Sequence, residues 1–397
     1  MSGLQTEAGT ILVLAPDWRR PLDWLPALAA YVVAAPLDGD TCLALDARGG
    51  ELPVSSIAKL LERACEYVSE GRDFPEVLLV VDDVDLGDDP VTGAGDLVER
   101  LGLSVPPLAG APKTTVVHAR WVKTLVDELQ AEVDRASLAA ARPVRLEGEP
   151  LVTVRIPTFG SVDLLLERAI PSVLAGSYRN VELLVCSDGP QPHARAAVEG
   201  LTDPRIRYLE VEERPRYPSR ASSFWQVAGT SAVNRLVEEA RGDVIAPLDH
   251  DDAFTHDHIP VLLDALRAGA DFAFGVAMTE TGTGAWGLLG SLPLAHGRIV
   301  HASVMYTRRL AHMRYDPEAW LLNEPGDWNL WHRIRDAGAK IGHVAHPIVV
   351  HFKEGSSKAG LEDDPDRILE HFAEDVRGTP AVALLEVAAH GRGAQLG

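Results

Sequence analysis

The chain begins with a β-branched apolar run, Thr10 to Ala15, and a segment of helical character follows from Leu25 to Ala35. That pairing recurs. Thr41 to Asp46 precedes Ser55 to Ser69, where Ile57, Leu60, Leu61, Ala64 and Val68 fall on one stripe at helical spacing. Glu76 to Val81 precedes Asp96 to Leu101, and Thr114 to His118 precedes Trp121 to Leu138. Four short strands alternating with helices predict a small Rossmann-like α/β domain with a parallel sheet over residues 1–141. Its strand ends carry Asp17, Asp46, Asp82, Asp83 and Asp85, but no glycine-rich phosphate loop follows the first strand. A structural or partner-docking role is therefore favoured over catalysis there. Across residues 142–149 the periodicity is lost and Pro, Gly and charge accumulate, which predicts a linker.

The pattern resumes with an alternating strand from Leu151 to Ile156, which ends in Pro157-Thr158-Phe159-Gly160, and an amphipathic helix over Val162 to Leu174. Val181 to Cys186 reads as a buried strand ending in Ser187-Asp188-Gly189. A helix over Pro192 to Leu201 leads to a third strand, Ile206 to Val211. Later, Gly242 introduces a short apolar segment of Val244, Ile245, Ala246 and Leu248, and the acids Asp249, Asp251 and Asp252 follow within four residues. No folding requirement explains them. Carboxylates that close repel one another unless a cation lies among them, and hard oxygen ligands on a strand-end loop suit Mg2+ or Mn2+. A solvated acidic turn is the other reading of the spacing alone. Asp188 and Asp249 both end strands, and in an open parallel sheet such carboxylates share one crevice, although Asp188-Gly189 taken by itself is simple turn chemistry.

Composition narrows the function classes. The formal charge of −21 over 397 residues argues against a nucleic-acid surface or an anionic membrane. An acidic protein handling phosphates needs local help, which a divalent metal supplies. Cys42, Cys65 and Cys186 form no CxxC pair, so neither a disulfide framework nor a zinc site is implied, and a reducing cytoplasm fits. The N-terminus lacks a secretory pattern, and the longest membrane-helix candidate, Leu25 to Leu37, is interrupted by Pro26 and Pro36. That leaves peripheral contact as the only form of membrane association expected.

In order, VTVRIPTFG, SVLAGSYRNVELLVCSDG, IRYLEV, AVNRLVEEARGDVIAPLDHDD, SVMYTRR, GDWNLWHRIRDAG and VVHF resemble the family 2 glycosyltransferases over residues 150–358. The first domain lies outside the resemblance. What it implies is a GT-A type nucleotide-diphospho-sugar transferase domain with a mostly parallel sheet, a UDP-, GDP- or dTDP-linked sugar donor, Mn2+ or Mg2+, and direct displacement with inversion onto a hydroxyl acceptor. By the same resemblance Pro157 and Thr158 meet the nucleoside, and Asp188 hydrogen-bonds the base. Asp249 lies on the ribose side and Asp251 on the metal. His250 is the spacer on the nucleotide-sugar side, and Asp252 is the acid that often follows. His351 matches a late histidine on the metal or diphosphate, and Asp327 matches the catalytic base. A sugar hydroxyl is a poor nucleophile until a carboxylate takes its proton. Asp327 also fits a helix N-cap, and the two roles are compatible.

Departures from the family pattern are specific. Gly326-Asp327 stands for the usual Glu-Asp, with Glu324 close by. Val233-Asn234 stands for Arg-Asn, so Asn234 remains a donor-side residue while Arg220 and Arg235 are the substitutes for the missing arginine. The processive-synthase signature is absent, which implies one sugar per encounter. Glu212 to Gln226 is expected to wall the donor cleft, and Thr281 to Leu294 to form an acceptor-side lid or a plain hairpin. His256 and His258 read as a polar helix start, and Trp320, Trp328 and Trp331 as sugar-stacking or core residues. Residues 359–397 are expected as a helical extension that caps the domain or makes a homodimer contact. A non-catalytic nucleotide-sugar-binding scaffold is the alternative of another class; a nucleotidyltransferase is disfavoured because Pro157-Thr158-Phe159-Gly160 is no phosphate loop.

Overall fold

A computed structural model describes residues 8–35, 37, 39–48, 52–69, 73–81, 90–92, 94–100, 112–160, 162–280, 285–353 and 374–377. The chain divides into two compact units, with the break between Ala140 and Ala141.

In the first unit the elements run β1 (Thr10–Leu14), α1 (Pro21–Ala34), β2 (Thr41–Asp46), α2 (Val54–Ser69), β3 (Val77–Val80), α3 (Ala94–Arg100) and α4 (Pro112–Ala140). The three strands pair in parallel in the order β1-β2-β3. The fourth strand expected at Thr114 to His118 is not one, because α4 runs through it. Two threonines and two valines favour a strand locally, but burial of Ala119, Val126, Leu129 and Val133 at helical spacing overrides that preference. Asp82, Asp83 and Asp85 lie outside the described residues, as does all of 359–397 except 374–377.

The second unit opens with β4 (Val152–Thr158), α5 (Val162–Leu164), a π turn over Leu165–Ala169 and α6 (Ile170–Leu174). There follow β5 (Val181–Ser187), α7 (Pro192–Glu199), β6 (Ile206–Glu210), α8 (Ala221–Val227), α9 (Thr230–Glu239), β7 (Val244–Pro247), β8 (Ala253–Phe254) and α10 (His258–Arg267). The unit closes with β9 (Phe272–Glu280), β10 (Trp286–Leu289), β11 (Val304–Thr307), α11 (Gly326–Asp336) and β12 (Ile341–His351). The sheet order is β6-β5-β4-β7-β11-β9-β12-β8, with β10 added antiparallel to β9. The half β6-β5-β4-β7 is wholly parallel; β9 pairs β12 in parallel, and β11 is antiparallel to both neighbours. Thr281 to Leu294, where described, is thus a hairpin arm.

This topology positions the site. Val152, Val154, Ile156, Leu183, Val185, Val244, Ala246 and Leu248 are all buried in one core, as expected of strands covered on both faces. Because β4, β5 and β7 are parallel and adjacent, their carboxyl ends emerge at one edge, carrying Thr158, Asp188 and Asp249 together. The entry to β7 is clamped. Thr153 Oγ1 donates to Glu182 (2.5 Å) and accepts from the Gly242 N–H (2.8 Å), and Glu182 also accepts from the Arg241 N–H (2.6 Å).

Candidate active site

Asp188 is buried just past β5 and receives a hydrogen bond from the Tyr217 hydroxyl at 2.7 Å, with Arg214 Nε at 3.5 Å from its other oxygen. Burial pushes its carboxyl above the ordinary range, against the pull of Tyr217 and Arg214. The Arg214 guanidinium lies 3.7 Å over the Phe159 ring. A Cβ on Gly189, whose φ is +122°, would sit 2.7 Å from Arg214 Cβ, so glycine lets this arginine close in. Arg214 and Tyr217, from the segment Glu212 to Gln226, thus lie against Asp188. Thr158 Oγ1 is buried beside it without a hydrogen-bond partner, and Pro157 precedes it at the end of β4.

The acidic turn occupies the next position along the edge. Asp252 is fully buried, accepts from the Phe352 N–H at 3.0 Å, and faces His351 Nδ1 at 3.0 Å. Burial raises the Asp252 carboxyl to about 6, and the hydrogen bond to Asp252 raises the His351 imidazole. Burial and repulsion from Asp249 raise Asp251 as well. Arg168, on the π turn, donates to the Asp251 carbonyl at 2.6 Å and stacks over Phe352 at 3.7 Å. His250 is half-buried between the acids and its charge favours ionisation of both Asp249 and Asp251.

Asp249 has a partner that the sequence did not suggest. His301 Nδ1 lies 2.8 Å and 3.0 Å from its two oxygens. Burial opposes ionisation of Asp249, but the neighbouring histidines, the hydrogen-bonded His301 foremost, hold the carboxyl below the ordinary range. His301 Nε2 in turn faces the Tyr315 hydroxyl at 3.0 Å and Arg155 Nη2 at 3.2 Å. Arg155, on β4, is fully buried and donates to Tyr315 at 2.5 Å. Asn234 is spent on this structure: its amide donates to the Tyr315 carbonyl and accepts from the Tyr315 N–H, both at 2.9 Å. A polar residue read as a donor-side ligand thus holds Tyr315 instead. Only a strand-interior arginine, unusual for a core position, hinted at this network in the sequence.

Asp327 stands in the first turn of α11 and accepts from the Trp328 N–H at 2.7 Å. Burial raises its carboxyl, and Trp331, one turn further along α11, stacks on His301. A Cβ at Gly326 would lie 3.1 Å from the Gln226 carbonyl, so the family's glutamate has no easy room there. Glu324 is held by Asn329 (2.8 Å) and His332 (3.0 Å). Arg235 is paired with Glu239. Trp320 and Trp331 are buried core residues, whereas Trp328 is half-buried beside His296 at 5.7 Å. His258 is a core histidine stacked on Phe254 and lowered to about 3 by burial, and His256 meets the Ala175 carbonyl at 3.0 Å.

A divalent cation finds suitable chemistry here but no finished cage. Among the described residues no three His, Cys, Asp or Glu side chains are gathered as metal ligands. The acids of the turn, with His351 beside them, are a donor set that suits Mn2+ or Mg2+. With Asp252 on Nδ1, His351 has Nε2 as the ring nitrogen that a metal would meet.

Residues 225–318 match the family model described as Glycosyl transferase family 2. The chain is 33% identical over 132 residues to the succinoglycan biosynthesis protein ExoO of Rhizobium meliloti, covering 33% of this chain and 34% of that protein. It is 25% identical over 133 residues to the GalNAc(5)-diNAcBac-PP-undecaprenol beta-1,3-glucosyltransferase of Campylobacter jejuni, covering 33% of this chain and 39% of that protein. The match therefore spans between a third and two-fifths of the length of these relatives. Among solved structures, the mannosyltransferase PcManGT of Pyrobaculum calidifontis, in complex with GDP-Man and Mn2+, aligns over 72% of this chain and 88% of its own at 14% identity and a TM-score of 0.38. At that score the superposition carries no argument, and the likeness to family 2 glycosyl transferases rests on the sequence matches. No family matches the first unit.

Proposed function

We propose, with the glycosyl transferase family 2 segment as premise, that the second unit is an inverting, divalent-metal-dependent glycosyltransferase. It moves one sugar from a nucleotide-diphosphate donor to a hydroxyl on a glycan, a lipid-linked glycan or a small molecule. The observation that supports this reading is that Trp331, one turn along α11 from Asp327, stacks on His301, the residue that hydrogen-bonds Asp249 of the acidic turn.

Each residue then has a task. Asp188 accepts N–H hydrogen bonds from the nucleobase, with Tyr217 and Arg214 fixing its orientation. Thr158 offers its free hydroxyl to the nucleoside. Asp249 accepts from the ribose. Asp251 and His351 hold the cation, which when bound neutralises charge on the departing diphosphate. Asp327 removes the proton from the acceptor hydroxyl, and its raised pKa suits a base that must release that proton afterwards. Transfer to the face opposite the leaving group inverts the anomeric centre.

The test is a thermal-shift and turnover screen of UDP-, GDP- and dTDP-sugars with Mn2+, because a ligand that binds only the native chain raises its stability. One nucleotide should shift the wild type, and Asp251→Ala should abolish the shift. Absence of any shift, turnover or donor hydrolysis across the screen would refute the assignment. A chain that binds a nucleotide but in which Asp327→Asn changes no activity would be the scaffold instead, the reading that the tight fit at Gly326 keeps in play.

A further inference from the structure

We infer that His301 is a positioning residue for Asp249, locked in its Nδ1–H form by Arg155 and Tyr315, so that the first acid of the Asp-x-Asp turn presents one fixed orientation to the donor. The inference rests on the donor-side reading of Asp249.

The argument is one of donors and acceptors. A guanidinium only donates, and it remains charged at any pH the fold survives. Arg155 Nη2 lies 3.2 Å from His301 Nε2, so that nitrogen must offer a lone pair. The ring hydrogen is then on Nδ1, where it points between the two oxygens of Asp249 at 2.8 Å and 3.0 Å. The Tyr315 hydroxyl, 3.0 Å from Nε2 and engaged by Arg155, completes the same side. An arginine whose only task was packing would be costly here, since the side chain is fully buried and, among the described residues, no carboxylate is hydrogen-bonded to it. Orientation of a histidine by a buried cation gives that burial a purpose.

The ring is also mechanically fixed. Trp331 stacks on it at 6.2 Å with 22° between planes, and Trp331 is itself wholly buried against Phe272 and Tyr306. Tyr315 is held at its backbone by Asn234. Asp249, by contrast, is 31% exposed and its carboxylate would otherwise be free to turn. Arg155, Asn234, His301, Tyr315 and Trp331, five side chains in all, thus converge to aim one carboxylate, as preorganised binding requires.

The experiment uses the full chain with Mn2+ and compares His301→Ala, His301→Asn and His301→Gln by calorimetry with UDP, GDP and dTDP, and by steady-state kinetics. The amide nitrogen of Asn reaches the place of Nδ1, whereas that of Gln reaches the place of Nε2. His301→Ala should weaken the nucleotide about 10-fold or more, the loss of a charge-assisted hydrogen bond. His301→Asn should recover most of that and His301→Gln little, at matched melting temperatures. Donor KM should rise while kcat at saturating donor changes less. Arg155→Met should reproduce the His301→Ala loss; if it fails to fold, the Asn and Gln pair still decides. Unchanged affinity in His301→Ala, or equal behaviour of Asn and Gln, overturns the inference and leaves the functional reading standing. A wild-type chain that binds none of the three nucleotides overturns the functional reading, and the inference with it.

Discussion

Substitution of Gly242 by alanine tests whether the acidic turn is held by the close approach of β7 to β4. A Cβ there would lie 2.5 Å from the Thr153 nitrogen, 2.7 Å from Thr153 Oγ1 and 2.8 Å from the Leu151 carbonyl. Two of these atoms belong to the backbone and cannot swing aside, so the strands must part. Parting them weakens the Gly242 N–H bond to Thr153 and the Asp243 N–H bond to Leu151, both 2.8 Å. Overpacking of this kind costs ~1–3 kcal/mol and two hydrogen bonds add ~0.5–1.5 each, so the expected loss is roughly 2–6 kcal/mol. For a unit of this size that corresponds to a fall in Tm of roughly 4–24 °C. Urea denaturation followed by tryptophan emission reads it, since Trp320 and Trp331 are buried in the same unit. Nucleotide affinity should fall as well, because Asp249 and Asp251 follow directly from the displaced strand. A midpoint and slope equal to wild type would show that the strands accommodate a methyl group, and the clamp argument would fail.

Asp327→Asn should lower turnover by about 10²- to 10⁴-fold with nucleotide affinity nearly unchanged. Because burial raises the Asp327 pKa, its ionised form destabilises the fold above that pKa, so Asp327→Asn should also raise Tm at neutral pH; a lower Tm would contradict the burial argument. Tyr217→Phe removes a hydrogen bond to a charged group and should weaken the nucleotide by about 10-fold, measured by calorimetry; equal affinity would detach Asp188 from base recognition. Asp252 is raised from 3.8 to about 6 and His351 is raised from 6.5, so both favour their protonated forms in the folded chain. That stabilisation is complete below the unfolded values and is lost as pH rises through the folded ones. Without metal, Tm should therefore fall between about pH 4 and pH 6 by an amount worth at most ~3 kcal/mol for Asp252, and fall again above pH 6.5 as His351 loses its proton, and Asp252→Asn should flatten the lower part of the slope. Mn2+ should restore Tm more at the higher pH; equal effects at both would argue against a cation among these acids.

Much of the second unit could be read from one-dimensional pattern, because strands buried on both faces write themselves as apolar runs and their parallel order fixes which ends meet. Asp188 and Asp249 were placeable for that reason. The strand expected at Thr114 to His118 failed because four β-branched residues carry less weight than a helix that buries a stripe of Ala119, Val126, Leu129 and Val133. His301, Tyr315 and Arg155 were illegible for another reason: they lie 146 and 160 positions apart, and their meaning arises only where donors face acceptors. Asn234 looked like a ligand because its residue type suits one, and the structure spends both ends of its amide on backbone.

The π turn over Leu165–Ala169 puts the helical segments on either side of it out of step by one residue, about 100° of rotation. Removing a single residue would let the helix run true, but Val162 and Leu165 could then no longer face the core together with Ile170 and Val173. Arg168 would turn with them, and the Asp251 carbonyl would lose its donor. The irregularity acts as a gear offset: it lets one helix serve the core along its length while one side chain from its middle steadies the loop that carries the acids. A one-residue deletion there should leave helix content intact while lowering both the melting temperature, through the displaced core residues, and the nucleotide affinity, through Arg168.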